Sequence, residues 1–465
     1  MLVLLLLLIP LITGLGLFAL KNEQQVKTIS LLSATATAII ALLLVINKTT
    51  IVYDASWMPS IGARFALRAD GMAKILCLLT AIAYPLIFAA VHARQYKNSY
   101  AFYGLMLLTQ VGLTGVFLAA DALLFYFFWE LALIPVYFLC SIWGGEKRIA
   151  VTFKFFIYTF VGSILMLTGL LYVYFHTVDQ SFAWESFKSV SLAGKEQASV
   201  FALLFIAFAI KMPIFPFHTW QPDAYEQSPT AVTMVLSAIM VKMGIYAVLR
   251  WLIPVVPMAS TQHAHLVIIL SVIGMVYASL IAIKQDDLKR LIAYSSIAHI
   301  GLMSAAMFTN NAAATSGVMI QMFNHGINVL GLWIIAEVIE QQLGTRKLSE
   351  LGGLAQKAPA MAILLVVLSL ANIALPLTNA FVGEFLMFNG LFQYNVWVMV
   401  IAGTSIILAA VYTLNMVQKI IYGELSAITA NATDITGNVR LVLVLIVLMI
   451  VVFGILPQHL IELVK

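Results

Sequence analysis

The sequence predicts an all-α polytopic membrane protein with about 14 transmembrane helices, including two inverted five-helix repeats that each contain a discontinuous helix. Three observations carry this. Of 465 residues, 62% are hydrophobic and 10% charged, with a mean hydropathy of +1.01; soluble domains carry roughly 25% charged residues. Apolar stretches of the ~20 residues needed to cross a ~30 Å hydrocarbon layer recur along the whole chain. Two of them are interrupted by proline beside an ionisable residue. The composition excludes a soluble enzyme, a disordered chain and a fibrous repeat. The absence of ten-residue alternating strands excludes a membrane barrel, because backbone groups in lipid must bond within a helix or a closed sheet.

The first span, 2–20, lacks a basic start, and its apolar run is too long and unbroken for a cleaved signal. The next spans fall at 28–46, 72–93, 100–120 and 121–142, with only Asp121 marking the turn between the last two. Spans at 152–175, 199–219 and 230–252 follow, and in the seventh Pro213 and Pro216 come directly after Lys211. Proline inside a helix removes one backbone bond and displaces another. Spans at 264–283, 290–309 and 316–340 precede the second interrupted one, 360–391, where Pro376 and Gly383 flank Asn379 and Glu384. The last two are 397–420 and 439–460. A buried charge beside each break, five spans apart, points to inverted-repeat transporters. The expected divisions are 1–99 for helices 1 to 3, 100–252 for the first repeat, 253–420 for the second and 421–465 for the C-terminal helix.

Loops after odd-numbered spans carry 15 Lys and Arg, and loops after even-numbered spans carry 7. The odd side is therefore cytoplasmic, and both termini face outward. The net charge of +5 is scattered, which makes nucleic acid an unsuitable partner. Cys77 and Cys140 lie in apolar runs and read as small hydrophobes.

Counting at 1.5 Å per residue places Glu130, Lys211, Lys242, His299 and His325 each about 15 Å into its span, with Glu384 near the same depth. Insertion scales assign roughly +2.5 to +3.5 kcal/mol to a central charge, so four such charges must be paired or hydrated. Six ionisable groups at one depth suggest a lateral relay in the membrane plane, whereas spacing along the membrane normal would suggest a pore. Lys74 and Lys154, near span ends, are expected to snorkel as anchors. Asp286 and Asp287 read as a solvated loop, and Asp223 and Glu226 as a polar turn or, alternatively, as a proton-gathering pair at the cytoplasmic mouth. No phosphate loop, CxxC or His pair at helical spacing provides a seat for nucleotide, iron-sulfur cluster or haem, so no redox chemistry is expected on this chain.

The segments FYFFWELALIPVYFL around Glu130, FAIKMPIFPFHTWQPDAY around Lys211, VLSAIMVKMGIYAVLR around Lys242, LKRLIAYSSIAHIG around His299, QMFNHG around His325 and NAFVGEFLM around Glu384 resemble the antiporter-like proton-pumping subunits of respiratory complex I. Glutamate at 384 resembles the M type, since the L and N types usually carry lysine there. The resemblance implies a proton path in which Glu130 and Lys211 pair at the input half, Lys242 and His299 continue the axis, His325 extends it and Glu384 ends it toward the outlet. Leu377 departs from the pattern, because a glycine is expected in the break after Pro376. The resemblance further implies FMN, iron-sulfur clusters and quinone in partner subunits, L-like and N-like subunits as neighbours, and contacts with lipid and internal water. The implied location is the bacterial inner membrane, or alternatively the mitochondrial one. A subunit of a multisubunit sodium/proton antiporter or of an energy-converting hydrogenase fits the same residues, and a passive docking subunit is a rival of another class.

Overall fold

The computed structural model describes residues Met1–Val464. Each of the fourteen expected spans coincides with a helix or a broken pair. In order they are α1 (Leu2–Leu17), α2 (Glu23–Ile46), α3 (Gly71–Ala90), α4 (Ser99–Leu118), α5 (Ala122–Trp143) and α6 (Arg148–His176). A broken pair follows, α7a (Gly194–Lys211) and α7b (Gln221–Gln227), then α8 (Thr230–Leu252), α9 (Pro257–Lys284), α10 (Leu288–Met307) and α11 (Ala312–Leu343). The second broken pair is α12a (Pro359–Asn372) and α12b (Asn379–Tyr394), followed by α13 (Val396–Ile421) and α14 (Gly437–Ile455). Ten of these are long and apolar enough to cross a membrane by length and composition. α10 is not among them, because its serines, His299 and basic start dilute its apolar content.

Helix starts are set by short polar side chains that accept from exposed N–H groups, as at Asn22, Asp70, Asp287, Asn311 and Asn395. Asp121 does this twice. Its Oδ1 accepts from the Leu123 and Leu124 amides at 3.0 Å, while Oδ2 accepts from the Arg64 amide at 3.0 Å. Burial pushes its carboxyl above the usual range, against these three N–H bonds.

The Arg64 amide belongs to an element absent from the helical expectation. Between α2 and α3 lies an antiparallel hairpin, β1 (Ile51–Met58) and β2 (Ala63–Ala69), with Ile51 opposite Ala69 and Ser56 opposite Arg64. The chain is thus almost, but not wholly, helical. The alternation in IVYDASWM, half-buried and exposed by turns along most of the strand, was the available signal.

α8 and α11 form the centre: 94% of the apolar window of each is buried, against 28% in α13 and 22% in α14 at the rim. Ionisable groups on α8 and α11 are therefore shielded from lipid by protein on all sides. The structure corrects two loop readings on the face that the charge count assigns to the cytoplasm. Asp287 caps α10 and pairs with Arg346 at 3.0 Å, and Asp286 accepts from Ser349, so this pair is an ordered clasp and not a solvated loop. Asp223 and Glu226 bind Arg290 at 3.1 and 2.8 Å, because α7b is brought against α10 and gains cations to answer its carboxylates. The two expected anchors have defined tasks: Lys154 pairs with Asp223 at 2.8 Å, and Lys74 donates to the Asn47 and Thr49 carbonyls at the C-terminal end of α2.

Candidate functional site

α8 contains a widened, π-type turn at Leu236–Met240, a feature that concentrates at functional sites. Just beyond it the Lys242 ammonium reaches back to the Ser237 carbonyl at 2.8 Å and contacts His325 Nδ1 at 2.8 Å. The His325 ring lies 5.4 Å, centroid to centroid, from that of His299 on α10. His299 Nδ1 in turn meets Glu384 Oε1 of α12b at 3.0 Å. Four of the six expected residues thus form one continuous row, and all four are buried. Their order differs from the expected one: His325 stands between Lys242 and His299, because α11 lies between α8 and α10 at this level.

Glu384 also accepts from Gln321 Nε2 at 3.3 Å. A cavity of about 20 Å³ beside it is lined by His299, Tyr412 and Ser405, enough room for one water among polar partners. The Nε2 atoms of His299 and His325 are both buried without a partner among the described residues.

The remaining two residues are not drawn into direct contact. Lys211 Nζ is buried with no hydrogen-bond partner and lies 5.3 Å from the centre of the Trp129 ring. Glu130 is half-buried, has no partner for Oε1 and borders an outward groove with Trp57, Phe127 and Ile134. The Glu130 carboxylate acts on Lys211 through space. The expected pair is therefore a separated one, because Trp129, next to Glu130 on α5, takes the place against the ammonium.

The chain matches the family model described as NADH:quinone oxidoreductase/Mrp antiporter, TM, over residues 119–409. It is 35% identical over 460 residues to the NADH-quinone oxidoreductase subunit M of Rhodobacter capsulatus, covering 94% of this chain and 88% of that one. The chain belongs to the M-subunit family. A chain of respiratory complex I from Thermus thermophilus superposes with a TM-score of 0.93 at 28% identity, covering 100% of this chain and 98% of that one. A chain of the Mrp complex from Dietzia shares the fold, with a TM-score of 0.89 at 19% identity over 100% and 95% of the two chains.

This member of the M-subunit family has further buried polar residues around the row. Gln321, Asn324, His325 and Asn328 follow helical spacing on α11, so they share one face. Asn324 Nδ2 donates to the Asn379 carbonyl at 2.7 Å, and Asn328 Nδ2 to the Ala371 carbonyl at 3.2 Å. These amides hold the ends of α12a and α12b on either side of the break. Asn372 and Tyr412 both donate to Ser295 Oγ at 3.0 Å. Of these only His325 and Asn379 are singled out by the sequence reading, although the stripe of amides Gln321, Asn324 and Asn328 in an apolar helix is a readable signal.

Proposed function

We infer that this chain works as a proton-translocating membrane-arm subunit of a bacterial NADH-quinone oxidoreductase, a multi-pass protein of the inner membrane, beside other antiporter-like subunits. It serves an enzyme complex whose redox cofactors reside in other subunits, and we assign FMN, iron-sulfur clusters and quinone to those partners. We further propose that Lys242, His325, His299 and Glu384 form the central relay, with Lys211 and Glu130 at its input. The division into inverted repeats, α4–α8 and α9–α13, belongs to this reading. An odd number of crossings reverses each counterpart, and α6 packs on both halves of the first broken pair as α11 packs on both halves of the second.

The observation that carries the relay is the unbroken run of contacts from Lys242 to Glu384. A protonated Lys242 donates to His325 Nδ1, which leaves that ring's proton on Nε2. His299 donates Nδ1–H to the Glu384 carboxylate, which leaves its Nε2 a lone pair. The two free Nε2 atoms are thus complementary, one a donor and one an acceptor, on rings whose centroids lie 5.4 Å apart. A proton leaving Lys242 finds an acceptor at each step. The sodium/proton antiporter and energy-converting hydrogenase readings are carried less far, since the Mrp likeness lies at the level of the fold.

Glu384→Gln tests this, because it keeps size and hydrogen bonding but removes the proton acceptor. NADH-driven acidification of inverted vesicles should fall severalfold while the complex assembles normally on native gels. Wild-type acidification in the assembled complex would overturn the relay.

A further inference from the structure

On the cytoplasmic face a cavity of about 600 Å³ opens between the α5–α6 turn, the start of α8 and the segment after α11. Three of its lining residues are in contact with one another: Lys289 Nζ lies 2.6 Å from Glu340 Oε2 and donates to Thr230 Oγ1 at 2.8 Å. The Lys289 side chain is only 4% exposed, and nothing in the relay uses it. Thr230 begins α8, and Thr233 and Ser237 follow at three and seven residues, so the hydroxyls share one face of that helix. The rise from Thr230 to Ser237 is about 10 Å, and Lys242 returns to the Ser237 carbonyl. Along this stretch the Tyr225 hydroxyl stands between Gln221 and Ser237, and the side-chain polar atoms of all three are buried with one another as their only near partners among the described residues. Buried polar groups are rarely left unpaired, and internal water is what serves such a cluster.

We propose that the Lys289–Glu340 ion pair seated on Thr230 is a gate through which protons from the cytoplasmic cavity reach Lys242 along the hydroxyl face of α8. The proposal rests on the relay reading above and supplies Lys242 with an entry separate from Lys211. The proton balance closes. A proton from the cavity neutralises Glu340, Lys289 passes one of its own protons by way of the Thr230 hydroxyl toward Lys242, and Lys289 then recovers a proton from Glu340. The pair is restored and one proton has moved inward. In the resting pair Glu340 has a second cation, Arg346, at 3.4 Å.

The test compares variants of the whole complex in inverted vesicles by protons moved per NADH oxidised. Thr230→Val removes the hydroxyl at nearly constant shape and should lower that ratio part of the way to that of Lys242→Ala, because the Lys211 input remains, while Thr230→Ser should hold the wild-type ratio. Thr230→Val at the wild-type ratio, with Lys242→Ala lowered, overturns the gate and leaves the relay standing. Lys242→Ala at the wild-type ratio overturns the relay, and the gate with it. If Thr230→Val assembles poorly, Glu340→Gln gives the same comparison: it retains a hydrogen-bonding partner for Lys289 but takes up no proton. Its expected result is again a ratio between wild type and Lys242→Ala, and a wild-type ratio overturns the gate.

Discussion

Lys211 is the residue least supported by its surroundings. Its ammonium has a ring face and a distant carboxylate, but no hydrogen-bond acceptor within the chain. A purely structural lysine would have been given an acceptor, since an isolated buried charge is costly and replacing such groups by apolar ones is often neutral or stabilising. Lys211→Met should therefore leave thermal stability in detergent unchanged or raise it by about 1 kcal/mol, while NADH-driven proton pumping falls. Wild-type pumping by this variant would remove Lys211 from the path. The ionisable residues themselves were legible in the sequence, because charge at mid-span is rare and its depth follows from counting. Their partners were not. Nothing in spacing along the chain places α11 between α8 and α10, so the position of His325 within the row, and of Trp129 against Lys211, emerged only with the packing.

At the level of elements, the helices followed from apolar length, and both breaks fell at the prolines that predict them. The hairpin was missed because two short strands beside fourteen long helices carry a weak pattern, and their pairing with Asp121 is a contact across 57 residues. The second break has one local conflict. Leu377 adopts φ +74°, in the left-handed region, and its side chain is 72% exposed. The left-handed conformation costs a residue with a Cβ roughly 1–2 kcal/mol, and here little burial offsets it. α14 fixes the path all the same, since a Cβ on Gly454 would stand 2.1 Å from the Leu377 carbonyl oxygen. The glycine expected at this position thus has a physical basis. Leu377→Gly should stabilise the subunit by about 1 kcal/mol, net of the entropy glycine loses on folding, read as a higher unfolding temperature with pumping intact. A lower unfolding temperature would mean that the exposed leucine is held by something other than this chain's own backbone.

For the whole molecule, the question is what keeps the first half in register with the second when the relay row crosses between them. The row itself is a poor tie, because the groups proposed to exchange protons would change their charge. The cytoplasmic face supplies a better one. Arg346, after α11, reaches Asp287 at 3.0 Å, Glu340 at 3.4 Å and Glu226 of α7b at 3.5 Å, and donates to the Glu226 carbonyl at 3.2 Å. Arg290 of α10 joins the same α7b carboxylates. A guanidinium holds several acceptors at fixed angles and keeps its charge throughout a proton cycle, so this network can stay closed while the relay titrates. Hydrogen bonds to charged groups contribute roughly 1.5–3 kcal/mol each where partly buried, and Arg346 is about one-fifth exposed. Arg346→Ala should therefore loosen the cytoplasmic side alone. Amide hydrogen exchange should speed up by roughly tenfold or more in residues 221–229 and 344–353, a loss of at least about 1.4 kcal/mol of local stability, while the β1–β2 hairpin on the opposite face exchanges as before. Equal exchange in all three segments would show that the two halves are held by helix packing through the centre, and that the arginines only decorate the mouth of the cavity.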